Sequence, residues 1–421
     1  MIRHITRNIS RPVSLRSTTR LCSVAFLLTC SLLPVDAQSL AACIEKARAN
    51  NLEVKMADMQ VQRAKRMEGS YFEMENTEVS LSQDPTSGGS PDNALTFSQR
   101  FDFPTVYSTR RKLLKAETQV EEGHLRLTES ELTRDVSAAY CTLLLWQHAV
   151  ELLNKNDSVL SAFVNTADIR FKNGETNRLE VMNAQRLQAE NKMQLREAAN
   201  EKNAAIILLQ QLMNTSETIV ATDDFQCMQS SDQAYSFATT PQGLLSESEQ
   251  LQSERQLGYV RQGMMPSFNV GLRHQLVFSG MNPYNVDRSR FDKGNWMGFE
   301  VGLAFPLFYG TQKAKKAAAK MDVDIARTRK EQAERKAGSE LLMAENAVVT
   351  ARQTYDYYQT EGVPAAHEMR RLSCVEYENG EIPYSDHVQN LTAAFEVEMN
   401  NAKAIDLLNQ AIIQLNFIKG Q

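Results

Sequence analysis

Phe103-Pro104-Thr105-Val106-Tyr107-Ser108-Thr109 comes back later in the chain as Phe305-Pro306-Leu307-Phe308-Tyr309-Gly310-Thr311. Downstream of each lies a second matching pair, Phe171-Lys172-Asn173-Gly174-Glu175 and Tyr377-Glu378-Asn379-Gly380-Glu381. The Pro-to-Gly separations are 70 and 74 residues, which differ by about one helical turn. An acid stands six residues past each Gly: Glu180 and Asp386. Most of the chain is therefore two copies of one unit. They span residues 38–213 and 242–421, with a polar connector at 214–241. Each reads as helix, strand pair, long helix, tight turn, helix.

The strands carry the most information. Leu95, Phe97, Phe101 and Phe103 alternate with Thr96, Ser98, Arg100 and Asp102, and Val79 and Leu81 with Glu78, Ser80 and Ser82. In the second copy Phe268, Val270 and Leu272 alternate with Asn269, Gly271 and Arg273. Phe299, Val301 and Leu303 alternate with Glu300, Gly302 and Ala304. Period-two alternation gives one apolar and one polar face. Several runs reach the roughly 9–11 residues that a tilted strand needs to cross a bilayer. Phe97, Phe101, Val270, Leu272, Phe299 and Val301 are the residues expected to face lipid. Tyr107, Tyr284, Trp296 and Tyr309 sit at strand ends, as in the aromatic girdles of membrane barrels. A soluble antiparallel sheet over a helix layer would show the same alternation.

The helices carry heptads. From Val136 the seam reads Val136, Ala139, Leu143, Trp146, Val150, Leu153, Asp157, Leu160, Val164, Ala167 and Phe171, with one polar exception. The second copy offers Leu341, Ala344, Val348, Ala351, Tyr355 and Tyr358. Such a seam predicts long coiled-coil packing. Ser108 to Phe171 alone would extend about 95 Å as a helix. Flanking helices are expected at 39–72 and 176–213.

Composition agrees with this. Among 421 residues only 18 are Gly and 11 Pro, which suits long uninterrupted helices. A net charge of −5 leaves no electrostatic footprint for nucleic acid, and six Cys are too few for a disulfide scaffold. Arg3, Arg7, Arg11, Arg16 and Arg20 precede an apolar run from Leu21 to Leu33 and then Pro34-Val35-Asp36-Ala37. This reads as an export signal peptide over 1–37. Cys30 offers a weaker lipoprotein alternative.

Four amphipathic strands cannot close on themselves, and in a bilayer every backbone polar group needs a partner. Two copies of the chain give eight strands, an interior that side chains fill. Three give twelve, with room for a lumen, and cyclic trimers are ordinary closed assemblies. The expected fold class is mainly α with a membrane β-barrel. Four strands per protomer close a 12-stranded barrel above an α-helical barrel.

These residues resemble the TolC-type outer-membrane efflux proteins. The likeness rests on Ser39-Leu40, Cys43-Ile44, Ala47 and Asn50-Asn51 at the start, and on Ser98-Gln99-Arg100-Phe101-Asp102-Phe103-Pro104. It is most specific at Arg170-Phe171, Gly174-Glu175, Leu179-Glu180-Val181 and Asn183-Ala184-Gln185. The strand-to-helix motif is most similar to the heavy-metal efflux branch. The resemblance implies a homotrimeric outer-membrane channel-tunnel that passively conducts substrates to the exterior. Its partners would be a periplasmic adaptor (membrane fusion) protein and an inner-membrane RND or ABC transporter. It implies that Glu180 and Asp386 line a periplasmic aperture, and that the turns at Phe171, Gly174, Glu175, Tyr377, Gly380 and Glu381 dock the adaptor. Residues 214–262 and the chain ends would form an equatorial belt. Tyr377 matches a tip tyrosine of that family, whereas Phe171 lacks the hydroxyl. Ile382 stands where some members carry Arg.

Two other classes compete: a periplasmic adaptor, which should have one coiled-coil hairpin and β-rich soluble modules, and a structural coiled-coil envelope protein. An enzyme is not expected. No Gly-rich phosphate loop ends in Gly-Lys-Ser/Thr, and His124, His148, His274, His367 and His387 lack ligand spacing. No cofactor and no metal are expected. Cys43, Cys141, Cys227 and Cys374 read as dispersed thiols, and Met56 and Met59 as packing residues.

Overall fold

A computed structural model describes residues 36–84, 92–230, 234–276 and 296–421. The leader through Val35, including Cys30, lies outside the described residues. So do Tyr284 and nearly all of the two loops that join the strand pairs.

The first copy opens with a short strand, β1 (Asp36–Gln38), and two helices, α1 (Leu40–Asn50) and α2 (Leu52–Met67). The sequence suggested one helix over this stretch. Asn51 breaks it: its backbone is extended, and its side chain accepts the amides of Glu53 and Val54 at 2.8 and 3.2 Å. A side-chain carbonyl that replaces the missing helical acceptors is the usual N-cap arrangement. Strands β2 (Glu78–Asp84) and β3 (Asp92–Asp102) follow, then α3 (Pro104–Lys172) and α4 (Arg178–Leu212). Pro104 stands at the first turn of α3, where an absent N–H costs nothing.

A three-residue strand, β4 (Ile219–Ala221), pairs in parallel with β1. Asp36 and Ala37, which the signal-peptide boundary would remove, pair in the full chain with Ile219 and Val220. The second copy then runs α5 (Pro241–Gln262), β5 (Ser267–Leu276), β6 (Trp296–Ala304), α6 (Gly310–Tyr357), α7 (Val363–Glu378) and α8 (Tyr384–Lys419).

A π-helical turn, Tyr358–Gly362, joins α6 to α7. Pro364 explains it. A residue without an N–H cannot serve the carbonyl one turn earlier, and a locally widened turn absorbs the mismatch. Counted through this turn, the second long helix has the same 69 residues as α3. The longer Pro-to-Gly interval of the second copy is therefore not an extra helical turn. Its additional residues lie in the non-helical stretch from Pro306 to Tyr309.

The main core forms where α3 meets α1, α4 and β4. Val136, Leu143, Leu209, Met213 and Ile219 are fully buried together. Tyr140 joins them at 1% exposure, and its hydroxyl donates to the Gln38 carbonyl at 2.9 Å. Burial pushes the Tyr140 phenol up to about 12. The connector packs beside this core: Met228 N–H donates to the Asn409 side chain of α8 at 2.7 Å. Thus β1, the connector and the end of α8 gather at one level of the bundle.

The α3 seam is buried at Val136, Ala139, Leu143, Leu153, Leu160 and Ala167, but Phe171 is 41% exposed. Leu143→Ala should therefore destabilise the fold by about 2–5 kcal/mol. Phe171→Ala should cost less than about 0.5 kcal/mol. Denaturant melts followed by circular dichroism would test the contrast, and equal losses would refute this placement of the seam.

Candidate functional site

Two regions stand out: the sheet at one end of the molecule and the helical turns at the other. The four long strands form one antiparallel sheet in the order β2-β3-β5-β6. The middle pairing, β3 with β5, joins the two copies. Its register carries the apolar alternation across the whole sheet. One row reads Val79, Phe97, Leu272, Phe299, and another Phe101, Phe268, Leu303. The opposite face holds Glu78, Ser98, Gly271 and Glu300.

The apolar face is largely uncovered. Phe299 is 83% exposed and Val301 67%; Phe97, Val270 and Leu272 are exposed as well, and Phe101 is half-buried. Gln99 interrupts the apolar row between Val270 and its neighbours, but its polar ends are satisfied. Its amide donates to the Glu75 carbonyl at 2.7 Å, and its oxygen accepts from Thr77 at 2.6 Å. Among the described residues β2 and β6 each pair on one side only.

The two helical turns at the far end are nearly superimposable in their bonding. Gly174 and Gly380 have φ of 75° and 74°, where an L side chain would be strained. Glu175 N–H donates to the Arg170 carbonyl at 2.9 Å, and Glu381 N–H to the Glu376 carbonyl at 2.8 Å. Each is the six-to-one bond of a Schellman motif. The helices that follow begin differently. Asn177 caps α4 by accepting from Glu180 N–H at 3.0 Å, whereas Pro383 precedes α8 with no side-chain cap.

That difference separates the two acids. Asp386 is exposed and accepts from the Ser385 hydroxyl at 3.0 Å. The Glu180 side chain is only 14% exposed. It accepts from the Thr176 hydroxyl, and its other oxygen lies 3.9 Å from the Arg170 guanidinium. Arg170 also donates to the Tyr377 hydroxyl at 2.5 Å and reaches within 3.8 Å of Glu175. Tyr384 completes the set by donating to the Glu180 backbone carbonyl at 3.2 Å. One guanidinium therefore ties the α3–α4 hairpin to the α7–α8 hairpin.

Beneath this network the rings pack. Tyr377 stacks on His387 at 4.4 Å and 3°, and Phe163 on Tyr384 at 4.9 Å and 21°. His387 is 4% exposed, with Nδ1 2.8 Å from the Ser373 hydroxyl. Burial lowers its pKa, and the same burial raises that of Tyr384.

In the sequence Arg170 stands out only as part of the tip motif and His387 only as a histidine without ligand spacing; neither they nor Tyr384 show a sign of this network. The one available signal was position: Arg170 directly precedes Phe171, the residue that lacks the hydroxyl of its counterpart Tyr377. Cys43, Cys141, Cys227 and Cys374 are free thiols, and Cys43 and Cys141 are buried.

Several solved structures share this architecture. CusC, whose structures describe folding and transmembrane channel formation, matches with a TM-score of 0.76 at 16% identity, over 92% of this chain and 93% of that one. The VceC outer-membrane protein of Vibrio cholerae gives 0.73 at 14% identity, over 90% and 96%. The open-state MtrE outer-membrane channel of Neisseria gonorrhoeae gives 0.71 at 17%, over 90% and 88%. No protein-family model and no curated protein matches the sequence. The fold is that of the TolC-type outer-membrane channels, present here over nearly the whole described chain.

The buried His387 makes a pH prediction. A histidine with a depressed folded pKa gives stability that is fully present above its unfolded value of 6.5 and lost as pH falls through the folded value. Melting temperature should thus drop on acidification below 6.5, and His387→Gln should flatten that part of the profile. Parallel profiles for wild type and variant would show that the imidazole does not titrate with folding.

Proposed function

We propose that this chain is a passive export duct of the outer membrane, with a helical extension into the periplasm. The observation that carries the proposal is the uncovered apolar face of a four-stranded sheet with two free edges. Such a face is stable in lipid and a liability in water. Three copies close twelve strands around a lumen, and the same rotation places the long helices in a ring below it. The exposed length of α6, buried in the single chain only at Ala319, Ala326, Ala344 and Ala351, supports a neighbouring protomer on its open side.

In this proposal the duct receives cargo from an inner-membrane RND or ABC transporter through a periplasmic adaptor. The adaptor docks on the turns around Phe171, Gly174, Glu175, Tyr377, Gly380 and Glu381. Phe97, Phe101, Val270, Leu272, Phe299 and Val301 face lipid. Glu180 and Asp386 are the acids of the periplasmic aperture, contributing six carboxylates per trimer, and a narrow ring of carboxylates favours cations. The two differ in role. Asp386 is open to solvent and acts on ions, whereas Glu180 anchors the Arg170 tie.

Membrane fractionation with native mass measurement in detergent tests the class. A trimer in the outer membrane is expected, and Val270→Pro, which removes a ladder donor from a central strand, should abolish its insertion. A soluble monomer, or a stable inserted monomer, would defeat the proposal.

Planar-bilayer recording tests the aperture. Asp386→Asn should reduce cation preference and weaken multivalent-cation block. Glu180→Gln should change selectivity less and raise the open fraction. The double variant should stay folded: Asp386 is an exposed acid in a first helical turn, worth only about 0.3–1 kcal/mol, and Gln at position 180 keeps an acceptor for the Thr176 hydroxyl. Unchanged selectivity and block in the double variant would place both acids away from the conducting path.

A further inference from the structure

We infer that the start of α6 is a binding surface for anionic phospholipid headgroups of the periplasmic leaflet; the inference rests on the outer-membrane reading above. The apolar row of β6 continues past the end of the strand. Phe305 is 59% exposed, Leu307 74%, Phe308 90% and Tyr309 53%. Aromatic residues at the end of a lipid-facing strand suit headgroup depth.

Directly below them α6 opens with Lys313, Lys315, Lys316 and Lys320, all exposed, and reaches its first acid only at Asp322. No acid stands in its first turn. Cations at a helix N-terminus oppose the helix dipole, so the arrangement favours an outside anion. Lys313, Lys316 and Lys320 form no ion pair among the described residues.

Position on the helix fixes the direction. Lys315 lines the pocket beneath the polar face of the sheet, with Arg100, Asp102, Ser267 and Ala304. At 3.6 residues per turn, Lys313, Lys316 and Lys320 lie about 100–160° round the helix from Lys315. They therefore turn away from that pocket.

Depth agrees as well. At 1.5 Å per residue these lysines lie about 5, 9 and 15 Å below Gly310. The headgroup layer is about 5–7 Å thick on each side. Lys313 and Lys316 fall in or beside it, and a flexible stem lets Lys320 reach back.

In the first copy part of the corresponding surface is engaged within the chain. There Arg110 pairs with Glu73, Arg111 lies 5.3 Å over the Tyr71 ring, and Tyr107 packs on Phe72 at 4.7 Å. Lys112 and Lys115, further along α3, remain exposed. Charge complementarity then favours lipid phosphate on α6, where each lysine near an anionic surface strengthens attachment severalfold.

The test uses full-length protein purified in detergent and reconstituted in nanodiscs of phosphatidylglycerol mixed with phosphatidylcholine. Phosphatidylglycerol retained per trimer is read by native mass spectrometry, and insertion is read by flotation of the same samples. The triple variant Lys313→Gln, Lys316→Gln, Lys320→Gln should retain at least about tenfold less phosphatidylglycerol than wild type. Its insertion into phosphatidylcholine alone should be unchanged. Lys315→Gln should behave as wild type, and the triple Lys→Arg variant should restore retention.

Equal retention by wild type and the triple Gln variant would overturn the inference while leaving the channel reading intact. Loss of the trimer in lipid-free detergent would assign the lysines to a second copy of the chain and overturn it as well. Failure of wild type to float with neutral nanodiscs would remove both the inference and the reading it rests on.

Discussion

The backbone amides and carbonyls along the outer edges of β2 and β6 set the terms for everything else. In hydrocarbon each unpaired group costs several kcal/mol. A single copy offers one apolar face and two such edges. In the proposed channel the face lies in lipid, and the edges then need strands from other copies. Closure by rotation about an axis would meet both demands and would set where the helices stand, because α3 follows β3 directly and α6 follows β6 after a short non-helical stretch.

At the opposite end the constraint is different. The hairpins meet over a small, partly dry set of rings and one shared guanidinium. The Arg170 side chain is 37% exposed, so solvent screens its charge and its ion pairs weigh less than they would in a closed core. Arg170 reaches Tyr377, Glu175 and Glu180 together, and it joins the hairpins alongside the Phe163–Tyr384 stack and the Tyr384 hydrogen bond to the Glu180 carbonyl.

Much of this was legible in the residue pattern. The repeat, the strand alternation, the heptad seam and the glycine turns each have a period or a steric need that a sequence displays. The β3–β5 pairing was not, because it joins segments from different copies and depends on how the copies meet. The break at Asn51 escaped notice since Asn is tolerated inside helices; only its cap bonds reveal it. The π-turn was hidden in an unremarkable Pro364. At the tip, Glu180 and Asp386 look equivalent in sequence. Asn177 and Pro383 start their helices differently, and Arg170 covers only one of the two acids.

The equal length of the two long helices has a consequence for how this chain can change. Each is a 69-residue ruler read at its far end by the alignment of Arg170 with Tyr377. A one-residue insertion or deletion anywhere along either would turn everything beyond it by about 100° and slide it by about 1.5 Å. Such a shift carries the guanidinium off the phenol. The π-turn at Tyr358–Gly362 is an irregularity that only the second long helix carries. Changes in length should therefore survive in the non-helical stretch after Pro306 and be selected against along the graduated part of the ruler.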